Sequence, residues 1–353
     1  MQCPNPCLIK TSYSVQHLDS NTARSMLLGD FVPLTPENIR LASSPTVRIL
    51  LFFVFLAIYI TTLVENLGMV TLIRASPQLH TPMYFFLSNL SFLDVCFSSV
   101  FVPKALINFL AKKKSISFVG CLMQMFFFIG LGSSECFLLA VMAYDRYVAI
   151  CKPLLYPALM SPRVCNFLVV GSYVLGLSHS LIHTIFTVRV SFSGSNMINH
   201  FFCDITALLS IASSDTDVNE LLIYYLAGIV ELITVTSVMV SYTYILKHTM
   251  RISTAAGRLK TFSTCTSHLI VVSIFHGAIL ILHFRPNASS GSFVQDVSDK
   301  VLSVFYTIVI PLLNPLIYSL RNKEVKDKTF GKVARNQNDL MTHNGPGHDY
   351  IHT

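Results

Sequence analysis

The chain has 353 residues, of which 52% are apolar and only 12% charged, with a formal net charge of +7. Soluble domains carry about 25% charged residues, so the composition excludes an ordinary soluble enzyme, and it excludes disorder, which needs low hydrophobicity and high charge. The solvent that suits such a chain is lipid.

Residues 1–46 are polar and irregular. They lack the apolar core of a cleavable signal peptide, so the first span must act as its own insertion signal. Seven apolar segments come next, at about 47–73, 82–103, 118–147, 164–188, 218–246, 262–284 and 300–320. Each can cross about 30 Å of hydrocarbon as a helix that closes its own backbone hydrogen bonds. The expected fold class is therefore all-α, a seven-transmembrane helix bundle over 47–320. Residues 321–353 form a short cytoplasmic helix and a polar tail in this expectation. No internal repeat is visible, which argues against transporters built from repeated halves.

Orientation is set by Lys and Arg, which concentrate on the cytoplasmic side. One set of connections holds Arg74, then Arg146, Lys152 and Arg163, then Lys247, Arg251, Arg258 and Lys260, then the run from Arg321 to Arg335. Asp204, Asp215, Asp217, Glu220, Asp296 and Asp299 fall on the opposite side. The Lys112–Lys114 run opposes the trend, but all four inner segments agree. This places the N-terminus outside and the C-terminus inside. The nine cysteines form no CxxC pair and no Cys/His metal cluster, and leave room for one extracellular bridge.

Charges inside a membrane are costly and mark function. Asp94 lies in the second span and Glu135 in the third. Glu65 adjoins Asn66 in the first, and Asn314 sits in the seventh. Two readings stand for the group Asn66, Asp94, Glu135 and Asn314: a polar network that fixes helix register, or a site for a hydrated cation such as Na+. The third span ends in MAYDRYVAIC, where Asp145 can hold Arg146 or release it to a cytoplasmic partner. The seventh contains PLLNPLIY at 311–318. Its prolines break the helical ladder, Asn314 can satisfy the freed groups, and the spot is a hinge or a static kink.

These motifs in these places resemble a rhodopsin-like G-protein-coupled receptor, and within that class a vertebrate olfactory receptor. The matching stretches are LHTPMYFFLSNLSFLDVCFSS at 79–99, MAYDRYVAICKPLLYP at 142–157, SY at 241–242, TFSTCTSHL at 261–269 and PLLNPLIYSLRNKEVK at 311–326. HFFCD at 200–204 suits the family's long second outer loop. The likeness spans about residues 48–330.

The resemblance implies a disulfide between Cys121 and Cys203. Two further loop cysteines usual in the family are replaced here by Ser193 and Ser213, which implies a looser loop with a single bridge. The family's N-terminal glycosylation sequon is missing; Asn287-Ala288-Ser289 is the outer-loop sequon, and the long N-terminal segment suggests Met26 as an alternative start. The inner start of the sixth span, Arg258 to Ser267, holds no acid to lock Arg146, so Asp145 is expected to restrain it. Asp145, Arg146, Tyr147, Tyr242, His268, Asn314, Pro315 and Tyr318 then form the G-protein switch.

The implied ligand pocket takes Phe128, Ile129, Gly132 and Ser133 from span three, and Leu226, Ala227 and Val230 from span five. Span six adds Phe275, His276, Ile279 and His283, and span seven Thr307. Such a lining suits a small, weakly polar, volatile molecule. No acid is evident near Phe128, which argues against a biogenic amine, and no lysine in span seven could carry retinal. His276 stands where relatives often have tyrosine and is expected to bond either a ligand or the backbone. The implied function is an odorant receptor at the plasma membrane, raising cAMP through a stimulatory olfactory-type G protein. The same receptor serving outside the nose as a metabolite chemosensor is the alternative. No cofactor other than Na+ and no nucleic acid is implied. An ion pathway through Asp94 and Glu135 fits poorly with the short connections, and no nucleophile–base pair, HExxH or phosphate loop suggests an enzyme.

Overall fold

The computed structural model of the chain describes residues 31–32, 45–111, 115–192, 198, 202–283 and 302–321. Seven helices account for most of them. They are α1 (Pro45–Ala75), α2 (Pro82–Leu110), α3 (Phe118–Cys151), α4 (Pro162–Val188), α5 (Asp217–Met250), α6 (Ala255–His283) and α7 (residues 302–321). The first six are long and apolar enough to cross a bilayer, and Leu302–Tyr318 is a shorter apolar helix. The end carrying Asp145 is called the inner end below, in keeping with the Lys/Arg distribution.

All seven expected spans are helical, though the boundaries shift. α2 runs to Leu110 through Pro103, and α6 starts at Ala255. Hydropathy registers only the stretch in hydrocarbon, whereas a helix continues through the interface, where polar side chains reach water. One expectation for the N-terminal segment changes. Phe31–Val32 form a strand, β1, antiparallel to β2 (Ile116–Ser117) in the first outer loop. The expected cytoplasmic helix and tail beyond Arg321, and the Asn287 sequon, lie outside the described residues.

α3 is the central strut and touches α2, α4, α5 and α6. Its contact with α4 is close because Gly176 brings the α4 backbone against α3. A Cβ there would sit 2.6 Å from both the Gly130 carbonyl and the Ser134 amide nitrogen. The outward faces carry exposed Phe53, Val64, Phe167 and Leu232, as a lipid-solvated bundle requires. At the outer end Arg48 of α1 donates to the carbonyls of Phe109 and Ala111. A cation thereby caps the last carbonyls of α2, which gives one outer-side basic residue a structural reason.

α5 and α7 each contain a π-helical stretch, Ile223–Ala227 and Phe305–Val309. A π turn adds a residue and rotates the register of every later turn of the helix. Farther along α7, Pro315 has no N–H, so the carbonyl of Pro311 loses its partner one turn on. Asn66 of α1 supplies the donor from Nδ2 at 3.0 Å. The sequence assigns that task to Asn314. The structure gives it to Asn66, because Asn314 points instead at two carboxylates.

Candidate functional site

A small cavity, about 70 Å³, lies in the outer half between α3, α4, α5, α6 and α7. Phe128, Ile129, Gly132, Ser133, Ala227, Val230 and Ile279 line it, as the helical stepping places them. Of the three consecutive phenylalanines in α3, Phe128 faces inward and Phe127 is 38% exposed toward lipid. Phe128 packs in an aromatic cluster with Phe97, Phe101, Phe202 and Tyr306. Phe202 comes from the second outer loop and meets Phe101 at 4.7 Å between ring centroids. It caps the cluster because the next residue is tied down twice. Cys203 is bridged to Cys121, with Cα atoms 5.3 Å apart. The Cys203 amide also donates to Gln124 Oε1 at 3.0 Å. Among the described residues this is the single bridge. At the position where the family carries a further cysteine, Ser213 donates from its amide and hydroxyl to the Ser191 carbonyl. Ser193 lies outside the described residues.

Two positions inside the π turns depart from the stepping. Leu226 falls inside one and is not on the cavity wall. In α7 it is Tyr306 that lines the cavity, whereas Thr307 donates to the Ser303 carbonyl of its own helix. Phe275 is fully buried behind the wall and packs against Tyr306. His283 closes α6, and its side chain is outside the described residues.

Glu231 of α5 overturns two expectations. It lines the same cavity as Phe128, so an acid does stand near that residue. Its Oε1 lies 2.9 Å from His276 Nδ1, so His276 is engaged by a carboxylate instead of the backbone. Both side chains are buried, and Cys136 of α3 completes a group of three potential ligands with them. The sequence carries a signal for Glu231: an acid within the apolar run LAGIVELITV, the criterion that singles out Asp94 and Glu135. On the opposite wall His179 of α4 is bonded to Ser133, with Nδ1 2.7 Å from Oγ, and to His183, with Nε2 atoms 3.2 Å apart. No local pattern marks these histidines, since their roles depend on which face of α4 meets α3.

Below the cavity, Asp94, Glu135 and Asn314 come together. The Asn314 amide donates to Asp94 Oδ1 at 3.1 Å and Oδ2 at 3.2 Å, and to Glu135 Oε1 at 3.3 Å. All three are buried. Asn66 is one step away, bonded to α7 through Pro311. Two carboxylates around one amide repel each other unless a proton or cation intervenes.

At the inner end, the expected restraint of Arg146 by Asp145 is replaced. Asp145 Oδ1 accepts from the Tyr156 hydroxyl at 2.8 Å. Among the described residues no ion pair joins Asp145 to Arg146, and the buried Arg146 Nε has no hydrogen-bond partner. Tyr156 lies in the short helix Tyr156–Leu159 between α3 and α4. Burial first, and then the Asp145 carboxylate, push its phenol above the ordinary tyrosine range. Tyr242 of α5 is bonded to His268 Nδ1 at 2.8 Å, and His268 Nε2 reaches the Leu139 carbonyl at 3.1 Å. That chain links α5, α6 and α3. Tyr318 is buried with its hydroxyl unpaired, Pro315 is buried in α7, and Tyr147 lies outside the group, with its ring tilted against Tyr144 and Tyr244.

Comparison with known proteins agrees with this anatomy. The family profile described as olfactory receptor matches residues 55–335. Human olfactory receptor 5G3 is 54% identical over 295 residues, covering 84% of this chain and 93% of that protein. Mouse olfactory receptor 5T17 is 56% identical over 280 residues, covering 79% and 85%. Human olfactory receptor 5W2 is 53% identical over 287 residues, covering 81% and 91%.

Proposed function

The chain belongs to the olfactory receptor family, and from that premise we propose that it binds small, mostly apolar volatile molecules in the outer cavity and signals through a stimulatory olfactory-type G protein that raises cAMP. It is a multi-pass membrane protein and not an enzyme. The working orientation at the plasma membrane has the N-terminus outside.

The observation that carries the ligand reading is the cavity itself, walled by Phe128, Ile129, Val230 and Ile279 with Ser133 and Glu231 as its polar points. Apolar burial stabilises a ligand by about 25 cal/mol per Å², with one or two hydrogen bonds for orientation. At about 70 Å³ the cavity is far smaller than ligand sites in general, which run to roughly 300–1,000 Å³. A ligand must therefore widen it. It binds the wider conformation better, and that differential affinity shifts the population toward it. Widening moves α5 and α6 relative to α3. The Tyr242–His268–Leu139 chain ties the same three helices at the inner end, so it is the element that feels the change. Arg146, with its Nε unpaired, is the donor offered to the G protein.

The carboxylates of Asp94 and Glu135, which here share the Asn314 Nδ2 donor, are hard oxygen ligands of the kind Na+ takes. In this reading Na+ holds α2, α3 and α7 together in the resting state.

An odorant panel screened in cAMP-reporter cells, with surface staining as control, tests the proposal. Ligand-driven cAMP is expected from the intact chain and is expected to vanish in Arg146→Ala at unchanged surface level. A full response from Arg146→Ala would refute the coupling role.

A further inference from the structure

The group formed by Cys136, Glu231 and His276 is not needed for an apolar pocket. It brings one thiol from α3, one carboxylate from α5 and one imidazole from α6 to a single buried point, with ligand atoms all within 4.8 Å of one another. Each residue is about 4% exposed. Two of their polar atoms, Glu231 Oε2 and His276 Nε2, are buried without any hydrogen-bond partner. Such atoms are costly in a membrane interior, where no water replaces the missing partner. The direct contact between His276 and Glu231 satisfies one atom on each side and leaves the other orphaned.

We propose that Cys136, Glu231 and His276 hold a zinc ion. Sulfur, nitrogen and oxygen donors together suit a borderline-soft divalent cation, and three protein ligands with one free position is the usual form of an open zinc site. Charge agrees as well: a thiolate and a carboxylate neutralise Zn2+ while the imidazole stays neutral. Zinc bonds of about 2.0–2.3 Å in a tetrahedron require ligand atoms roughly 3.3–3.7 Å apart. The present separations run from 2.9 Å to at most 4.8 Å and bracket that range. Coordination releases the Cys136 thiol proton to solvent, with any proton on the binding imidazole nitrogen. Cys136 and Glu231 both line the outer cavity, so the fourth position opens into it and takes water or a donor atom of a bound molecule.

Zinc binding is read directly from the purified full-length receptor and does not depend on any odorant response. The receptor, stripped with a chelator and carrying Cys3→Ser and Cys7→Ser, is titrated with Co2+ as a spectroscopic stand-in and then with Zn2+. The expected result is one site with tetrahedral visible bands and a thiolate charge-transfer band, both displaced by Zn2+. Cys136→Ser removes the charge-transfer band, and Glu231→Gln weakens Zn2+ binding at least ~10-fold. Cys265→Ser, at a buried thiol outside the cluster, leaves both unchanged. Glu231→Gln keeps size and hydrogen bonding, so it serves if Cys136→Ser fails to fold. No binding, a band that survives Cys136→Ser, or unchanged affinity in Glu231→Gln overturns the proposal.

Discussion

Asn66 and Pro315 are thermodynamically coupled if the carbonyl argument for α7 holds. Pro315 leaves the Pro311 carbonyl without an intrahelical donor, and Asn66 Nδ2 fills the gap at 3.0 Å. Replacing Asn66 by Leu, of similar size, strands that carbonyl, and an unsatisfied buried acceptor costs about 1–3 kcal/mol. Part of the cost is offset, because Asn66 Oδ1 is itself buried without a partner and disappears with the substitution. Pro315→Ala restores an N–H that bonds the carbonyl within α7, so in that background Asn66→Leu costs less. The coupling across the double-mutant cycle is expected near ~1 kcal/mol, within the roughly 0.6–2 kcal/mol found for hydrogen bonds between membrane helices. In a chain of 353 residues ~1 kcal/mol shifts Tm by about 1–2 °C. Thermal unfolding of purified receptor, monitored with a thiol-reactive dye, reads the shift, since Cys136, Cys165 and Cys265 are buried until the bundle opens. Additive Tm shifts would refute the reasoning.

Gly176→Val has no room at the Gly130 carbonyl and should cost about 3 kcal/mol or more. Size-exclusion profiles should show little folded monomer, while Gly171→Ala, whose Cβ enters open space, should behave as the parent. Tyr156→Phe removes the donor to Asp145, and the freed carboxylate should then turn to Arg146. A lower maximal cAMP response at equal surface staining is expected, and an unchanged one would count against the Tyr156 restraint. Phe202→Ala deletes ring contacts with Phe101 and Phe128, each worth about 0.5–1.5 kcal/mol. The Cys121–Cys203 bridge remains, so odorant EC50 should rise roughly tenfold, the equivalent of about one such contact, with little loss of surface receptor.

Much of the site is legible in the residues. Apolar runs separated by basic connections mark the spans. Asp94, Glu135 and Asn314 stand out as polar groups in hydrocarbon, and they do meet. Phe128, Ile129, Gly132 and Ser133 are reached by helical stepping and share one wall. Other parts are not legible by that route. Glu231 meets the same intramembrane criterion, but its pairing with His276 does not follow from it. His179 and Tyr306 depend on contacts between helices distant in sequence. Leu226 and Thr307 are misplaced, and each lies inside a π turn, which has no local signature in the sequence and locally shifts which residues face the cavity.

By itself the sequence determines that this chain lives in lipid, how many helices it makes and which unusual residues lie in them, because hydrophobic length and isolated polar groups are local properties. Only the tertiary structure decides partners: Asn66 with Pro311, Tyr156 with Asp145, and Glu231 with His276. Partner choice turns on helix rotation and register, which arise when neighbouring helices pack, and a buried donor or acceptor bonds whatever that packing brings within about 3 Å.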